Sequence, residues 1–358
     1  MIEEFHQIEP YSLNHEEKQN KLKMELIQLT RLHQTNCERY ANILSGLGYK
    51  EENINKVEDI PFLPVRVFKE LDLKSIADDA VFKTMTSSGT TGNRKSKIFL
   101  DKENAMLQQK VMLRLLADYI GKKRLPMLVL DTEEVVKNRK LFTARGATIM
   151  GLDFAAKKKI FALNEDMTLN EQVVYSFLEQ YGGSPFLMFG FTFMVWQHLF
   201  EEIRKKGLKF DFSKGYLLTG GGWKQLEKSA VTRESFKSVG KELCGLVNYV
   251  DHYGMSEQSG SIYLECACGH YHASIYSDII IRRFEDFSVC KQGEEGIIQV
   301  VSVLPHSFPG HSLLTEDRGI LLGEDDCPCG RKGKYFTVLG RMKNAELRGC
   351  SDTYGAQF

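Results

Sequence analysis

The stretch Thr86-Ser87-Ser88-Gly89-Thr90-Thr91-Gly92-Asn93-Arg94-Lys95 gathers small hydroxyl side chains and glycines into one run and closes it with two cations. Glycine lets the backbone approach an anion closely and take positive φ, while exposed N–H groups and hydroxyls donate to phosphate oxygens. Arg94 and Lys95 would offset the phosphate charge. The run therefore reads as a phosphate cradle. The spacing Gly-x-x-x-x-Gly-Lys-Ser/Thr is missing, so it is no P-loop, and in isolation such a run also suits an ordinary turn.

Around the cradle the chain predicts an α/β arrangement. Ile60-Pro61-Phe62-Leu63-Pro64-Val65 leads to Phe68-Lys69, and its prolines argue for an extended segment. Lys97 to Leu100 reads as a strand, giving strand-loop-strand. A helix over 102–119, the apolar strand Met127-Leu128-Val129-Leu130 and a helical stretch over 170–181 continue the alternation expected of an α/β sheet. Upstream, residues 14–47 place Leu22, Met24, Leu26, Ile27, Leu29 and Leu32 at helical spacing, with Gly46 and Gly48 as stops, and predict a helical amino-terminal cap.

Further on, Phe186 to Trp196 is densely apolar and aromatic, with Gly190 in its middle, and suits either a core or the wall of an acyl pocket. Tyr216-Leu217-Leu218-Thr219 runs into Gly220-Gly221-Gly222-Trp223, a glycine turn at the carboxyl end of a strand, where open α/β sheets bind ligands. The strand Leu246 to Val250 is followed by Asp251-His252-Tyr253-Gly254-Met255-Ser256-Glu257, whose final carboxylate is suited to holding magnesium on phosphate oxygens. An ordinary strand-to-turn junction is the alternative. From about residue 260 short β-type runs (Ser274 to Arg283, Gly296 to Leu304) predict a smaller, mainly β subdomain. The expected organisation is a core over 1–255, the β subdomain over 256–338 and a hinge with a mobile tail over 339–358.

Composition narrows the partners. At 358 residues the chain exceeds what a single core usually supports. Lysine plus arginine equals aspartate plus glutamate, 47 each, so no overall field favours nucleic acid or an anionic membrane. No apolar run approaches the roughly 18 residues of a membrane span, and Met1-Ile2-Glu3-Glu4-Phe5-His6 lacks the pattern of a secretory signal. A cytoplasmic protein handling a small ligand is expected. Its eight cysteines then read as thiols or metal ligands.

Cys266-Ala267-Cys268-Gly269-His270-Tyr271-His272 and Cys327-Pro328-Cys329-Gly330 form two Cys-x-Cys-Gly knuckles. Thiolate and imidazole suit tetrahedral zinc, and the glycine permits the tight turn. Either Cys266, Cys268, Cys327 and Cys329 bind together, or His272 displaces one of them, with Cys268 the first candidate. The role would be structural. A redox dithiol or unliganded cysteines are the alternatives. Leu314-Thr315-Glu316-Asp317-Arg318-Gly319 adds a carboxylate suited to ribose hydroxyls, or merely an acidic turn.

In this order the pieces resemble the adenylate-forming family of acyl-CoA synthetases, phenylacetate-CoA ligases and luciferases, and most closely its acyl-protein synthetase branch, the LuxE type of luminous bacteria. Thr86 to Lys95 is similar to the family's phosphate loop, with Thr86, Ser87, Ser88, Gly89, Thr90, Thr91, Gly92 and Lys95 as the nucleotide-binding positions. Gly220, Gly221, Gly222 and Trp223 are similar to its adenine-side turn. Tyr253, Gly254, Met255, Ser256 and Glu257 resemble its Tyr-Gly-Met-Thr/Ser-Glu motif, Asp317 its ribose-binding aspartate, and Leu339-Gly340-Arg341 its hinge. Ile60 to Lys69, Ala144-Arg145-Gly146-Ala147 and Leu347-Arg348-Gly349-Cys350 resemble the LuxE branch specifically.

The resemblance implies ATP and Mg2+ as cofactors beside structural Zn2+. It also implies a carboxylic, fatty acid as substrate and an acyl reductase or acyl-acceptor protein as candidate partner. In the LuxE type a cysteine at the position of Cys350 accepts the acyl group from acyl-AMP. Arg348, with flexible Gly349, would lower that thiol from its usual pKa of about 8.5, and Arg341 and Lys343 would orient the phosphate and the hinge. Composition alone makes Cys350 a spare thiol on a frayed terminus. Two departures stand out. Glu316 occupies the place of a glycine in the usual Thr-Gly-Asp, and only residues 351 to 358 follow Cys350, so the usual carboxyl-terminal domain with its catalytic lysine is expected to be absent.

Overall fold

The computed structural model describes residues 2–86, 95–137, 144–222 and 231–342. The described residues of Met1–Leu115 and Gly254–Leu347 form one compact unit, and those of Leu116–Tyr253 belong to a second.

The second unit carries five parallel strands in the order Ala156–Phe161, Leu125–Val129, Phe186–Phe189, Gly215–Gly220 and Asn248–Tyr253. Its central strands are continuous apolar runs because helices cover both faces of such sheets: Met127, Leu128, Val129, Phe186, Leu187 and Met188 are fully buried. The helices Glu171–Tyr181 and Arg233–Cys244 start on Asn170 and Thr232, whose side chains accept from Val173 N and Ser235 N. The chain goes from Leu125–Val129 outward to Ala156–Phe161 and returns on the other side with Phe186–Phe189, which makes a switch point between the first and third of these in sequence. Phe186 to Val195 packs as core: Phe191 and Phe193 are buried, and a Cβ at Gly190 would lie 2.9 Å from Leu130 Cβ. The strand expected over Leu246 to Val250 is displaced, beginning at Asn248 and running to Tyr253, since Asp251 and His252 continue the parallel ladder opposite Thr219 and Gly220.

The first unit holds an antiparallel sheet in the order Ser277–Arg282, Glu295–Ser302, Ser312–Glu324, Lys334–Arg341, Tyr271–His272 and Tyr263–Glu265. The proline-bearing segment is extended as expected, and Leu63–Pro64 pairs in parallel with Leu313 and Leu314. Lys83–Thr86 and Lys97–Leu100 form an antiparallel pair whose last rung joins Thr86 to Lys97, so the strand-loop-strand reading holds for the strands. The amino-terminal cap comprises His15–Asn36 and Glu38–Gly46. Leu22, Leu26 and Leu29 are buried, whereas Met24 and Leu32 are 62% and 37% exposed, because they fall off the i, i+4 face.

Two buried polar networks tie that cap to the sheet. Lys18 and Lys334, both nearly inaccessible, flank Asp278 at 3.5 and 2.9 Å, and Gln19 Nε2 donates to Oδ2, the oxygen that Lys334 also takes. Burial alone would raise Asp278, but the Lys334 and Lys18 ammonium groups hold it at about 2. His33 and His311 stack at 5.1 Å. His33 Nε2 donates to Pro305 O, which leaves Nδ1 to accept from Ser75, and Thr30, already donating to Leu26 O, accepts from His311 Nε2. Burial disfavours a charge on either ring.

Candidate functional site

In the second unit the carboxyl ends of two neighbouring strands build a small polar platform. The chain leaves Gly215–Gly220 through Gly221 and Gly222, both at positive φ. A Cβ at Gly220 would lie 2.3 Å from the His252 ring, and one at Gly221 2.7 Å from Phe191, so only glycine lets the turn close there. His252 Nδ1 donates to Thr219 O at 2.7 Å. Asp251 accepts from Thr219 Oγ1 at 2.7 Å and from Arg233 at 3.1 Å. Tyr253 ends its strand half-buried. Beside the switch point, buried Asp131 pairs with Arg145 at 2.9 Å. Desolvation raises the acid to about 6, opposed by the guanidinium and by the Thr132 N–H.

In the first unit Gly254 and Met255 lead into the short turn Ser256–Gln258. Glu257 is 7% exposed, and its Oε2 accepts from Ser256 Oγ at 3.1 Å. Among the described residues its other oxygen accepts nothing. A nearly buried carboxylate served by one neutral hydroxyl is a suitable hard-oxygen ligand for Mg2+. Asp317 and Arg341 are register partners, with Nε 3.6 Å from Oδ1. The neighbouring Glu316 pairs with Arg66 at 3.4 Å and accepts Met342 N through its carbonyl. Thr86 closes its hairpin strand and Lys95 is exposed.

A second cluster in this unit gathers Cys266, His272, Cys327 and Cys329, whose ligand atoms all lie within 4.8 Å of one another. Cys266 and Cys327 Sγ are 3.9 Å apart, and Cys329 Sγ is 3.4 Å from His272 Nε2. Tetrahedral zinc bonds would set these separations at about 3.8 Å for S–S and 3.6 Å for N–S. Each knuckle turns on its glycine: Gly269 N donates to Cys266 O at φ +80, and Gly330 N to Cys327 O at φ +83. Cys268 is exposed and stands outside the group. The donor set fits a soft, tetrahedral ion. Burial drives His272 down to about 3, helped by Arg331, so the ring is neutral and ligand-ready, and Nδ1 has no hydrogen-bond partner among the described residues. His270 Nδ1 lies 3.4 Å from Cys327 Sγ.

Ser87, Ser88, Gly89, Thr90, Thr91, Gly92, Asn93, Arg94, Trp223, Lys343, Arg348 and Cys350 lie outside the described residues. Sequence reasoning did not find Gln258 or the pairings of Arg66 with Glu316 and Arg145 with Asp131. The two arginines sit in segments for which no side-chain partner was read from the sequence, and Glu316 is distant in the chain from Arg66.

Comparison with known structures defines the class. An open conformation of 2-hydroxyisobutyryl-CoA ligase in complex with 2-HIB-AMP and CoA superposes with a TM-score of 0.71 at 15% identity, covering 93% of this chain and 77% of that one. The postadenylation state of that ligase with R3-HIB-AMP gives 0.69 at 14% identity, covering 93% and 69%. The fold is that of the adenylate-forming ligases. Within that class, the family described as acyl-protein synthetase, LuxE, matches residues 3–358, and the chain belongs to that family. Relatives named long-chain-fatty-acid–luciferin-component ligase are 23% identical in Vibrio harveyi, over 91% of this chain and 85% of the relative, and 20% identical in Aliivibrio fischeri, over 94% and 88%. The protein is thus an enzyme of the acid–thiol ligase type. No helix among the described residues is long and apolar enough to cross a membrane.

Proposed function

We propose that this enzyme activates a fatty acid with ATP and loads it onto its own Cys350. In the first half-reaction an oxygen of the acid attacks the α-phosphorus and pyrophosphate leaves with the bonding pair, forming acyl-AMP. In the second, the Cys350 thiolate attacks the acyl carbonyl carbon, the C–O bond to phosphate breaks, and AMP leaves. Carried over from the family, Thr86 to Gly92 and Lys95 would donate to the phosphates, Gly220 to Gly222 would meet adenine, Tyr253 to Ser256 would flank the nucleotide, Asp317 would take the ribose hydroxyls and Glu257 would hold Mg2+. Bound magnesium would neutralise charge on the phosphate oxygens. Preorganised donors stabilise the same charge without reorganising.

The observation that carries the reading is the pairing of Asp317 with Arg341. It anchors the start of the tail at the aspartate read as ribose-binding, and the tether of about nine residues from Arg341 to Cys350 spans at most about 30 Å. Arg341 and Lys343 would steady the phosphate and the hinge, and Arg348 would favour the thiolate. The four-donor cluster of Cys266, His272, Cys327 and Cys329 is read as a structural zinc site that staples the sheet of the first unit. Cytoplasmic residence and delivery of the acyl group to a reductase or other acceptor complete the proposal.

Incubation with labelled fatty acid and ATP tests it. Label should remain on denatured protein, leave with neutral hydroxylamine, and be lost in Cys350→Ser while acid-dependent pyrophosphate exchange persists. Label that never becomes protein-bound, with acyl transfer to added coenzyme A instead, would overturn self-acylation in favour of a ligase using an external thiol.

A further inference from the structure

The residue after Glu257 is a glutamine that the proposed reaction leaves without a role, and its surroundings give it one. Gln258 is 2% exposed. Its Nε2 donates to Gly310 O at 2.9 Å and to Val300 O at 3.4 Å, the latter on the strand Glu295–Ser302. Two carbonyl acceptors on one side fix the orientation of the amide, since the flipped form would set oxygen against oxygen. Its Oε1 then has no hydrogen-bond partner among the described residues. Burying an amide with one end unpaired is unfavourable, and an apolar side chain of similar volume would be the cheaper filler if packing were all the position required.

What the amide does is pin a one-turn element, Ser256–Gln258, that is too short to hold itself. The same element is tied on its other side, where Ser259 Oγ donates to Ser256 O at 3.0 Å and reaches Met85 Sδ at 3.6 Å. Met85 lies on Lys83–Thr86, the strand that enters the phosphate-loop segment. Glu257 therefore sits on a turn clamped between the strand Glu295–Ser302 and the phosphate-loop hairpin. A carboxylate that holds a cation must be fixed before the cation arrives, because partners one step removed from the ligand set its orientation.

We propose that Gln258 is a positioning residue for the magnesium-holding carboxylate of Glu257, acting through its bonds to Gly310 and Val300. The proposal rests on the reading of Glu257 as the magnesium ligand. Its test is calorimetric titration of ATP, without acid, in the presence of chelator and of saturating Mg2+, with thermal melting alongside. Gln258→Met keeps the length of the side chain and removes both donors. The tightening of ATP binding by Mg2+ should fall about 10- to 100-fold, with magnesium-free ATP affinity unchanged. Gln258→Asn, an amide on a shorter stem, should fall between, and supplies the comparison if the methionine variant does not fold. Full magnesium enhancement in Gln258→Met, with only a lower melting temperature, would show a packing role and overturn the proposal. Glu257→Gln separates the two layers: if it too leaves the magnesium enhancement intact, the reading of Glu257 fails and the role of Gln258 falls with it.

Discussion

Arg341 faces Asp317 across the antiparallel pair of Ser312–Glu324 and Lys334–Arg341, with Nε 3.6 Å from Oδ1. The pair is the end rung of that ladder, where Glu316 is occupied by Arg66 and by the Met342 N–H. The glutamate that replaces the customary glycine thus has partners of its own beside the Asp317–Arg341 pair. Asp317→Asn should raise the KM for ATP in pyrophosphate exchange about 10- to 100-fold, as expected for loss of a charge-assisted hydrogen bond of about 1.5–3 kcal/mol. An unchanged KM would remove Asp317 from the nucleotide site.

Metal content divides the knuckle cysteines. Cys327→Ser or His272→Ala should abolish stoichiometric zinc and lower the melting temperature by about 10 °C or more, because a structural ion supplies folding free energy directly. Cys268→Ser, at an exposed position outside the donor group, should keep both. Elemental analysis with calorimetry decides this, and loss of zinc in Cys268→Ser would reassign the fourth ligand. Chelation should also expose the amino-terminal arm to protease, since Tyr11 O accepts Lys332 N and its ring packs edge-on against His272.

Asp278 lies between two buried lysines, and Lys334 also reaches Glu58 at 3.5 Å. Asp278→Asn should destabilise the protein by about 3–5 kcal/mol, the usual consequence of leaving buried charge uncompensated, read as a lower urea midpoint. The acid's folded pKa, about 2, lies below its ordinary 3.8. Its contribution is therefore complete above about pH 4 and lost as the pH falls through 2. A midpoint within experimental error of the parent would show that solvent reaches the lysines.

The stacked His33 and His311 impose a second acid dependence at higher pH. Desolvation holds His311 at about 3 and His33 well below 6.5, and His311 further disfavours a charge on His33. A histidine whose folded pKa is depressed stabilises fully above its unfolded pKa and progressively less below it. Stability should fall as the pH drops below 6.5, by about 1.4 kcal/mol per pH unit for a ring that stays neutral, and for His311 the fall continues to about pH 3. Replacing His33 by Gln should flatten the slope of the denaturation midpoint between pH 7 and 5. A slope that is unaltered would place the titration elsewhere.

Local patterns were legible where one segment contains the whole signal. The hydroxyl-glycine run named the hairpin that frames it, the Gly220 turn named the carboxyl end of a parallel strand, and the two Cys-x-Cys-Gly knuckles declared a metal chemistry. Pairings between distant segments were not legible. Whether Cys268 or His272 completes the knuckle set depends on which side chain Tyr271–His272 turns inward against the hairpin at Cys327, and strand register decides that. Gln258 was invisible for the same reason, since its acceptors lie on a strand and a turn far along the chain.

The amino-acid sequence by itself therefore determined the chemistry on offer: a phosphate-loop pattern, a magnesium-type carboxylate, a thiolate-imidazole donor set and a cysteine near the tail, because each is written in residue types at short spacing. Tertiary structure alone decided which of those groups meet. The Asp317–Arg341 rung, the burial of Lys18 and Lys334 against Asp278, and which four of the five candidate Cys and His side chains gather all follow from strand order and register. Those are settled by how apolar faces pack across the whole chain, a long-range condition that no local spacing encodes.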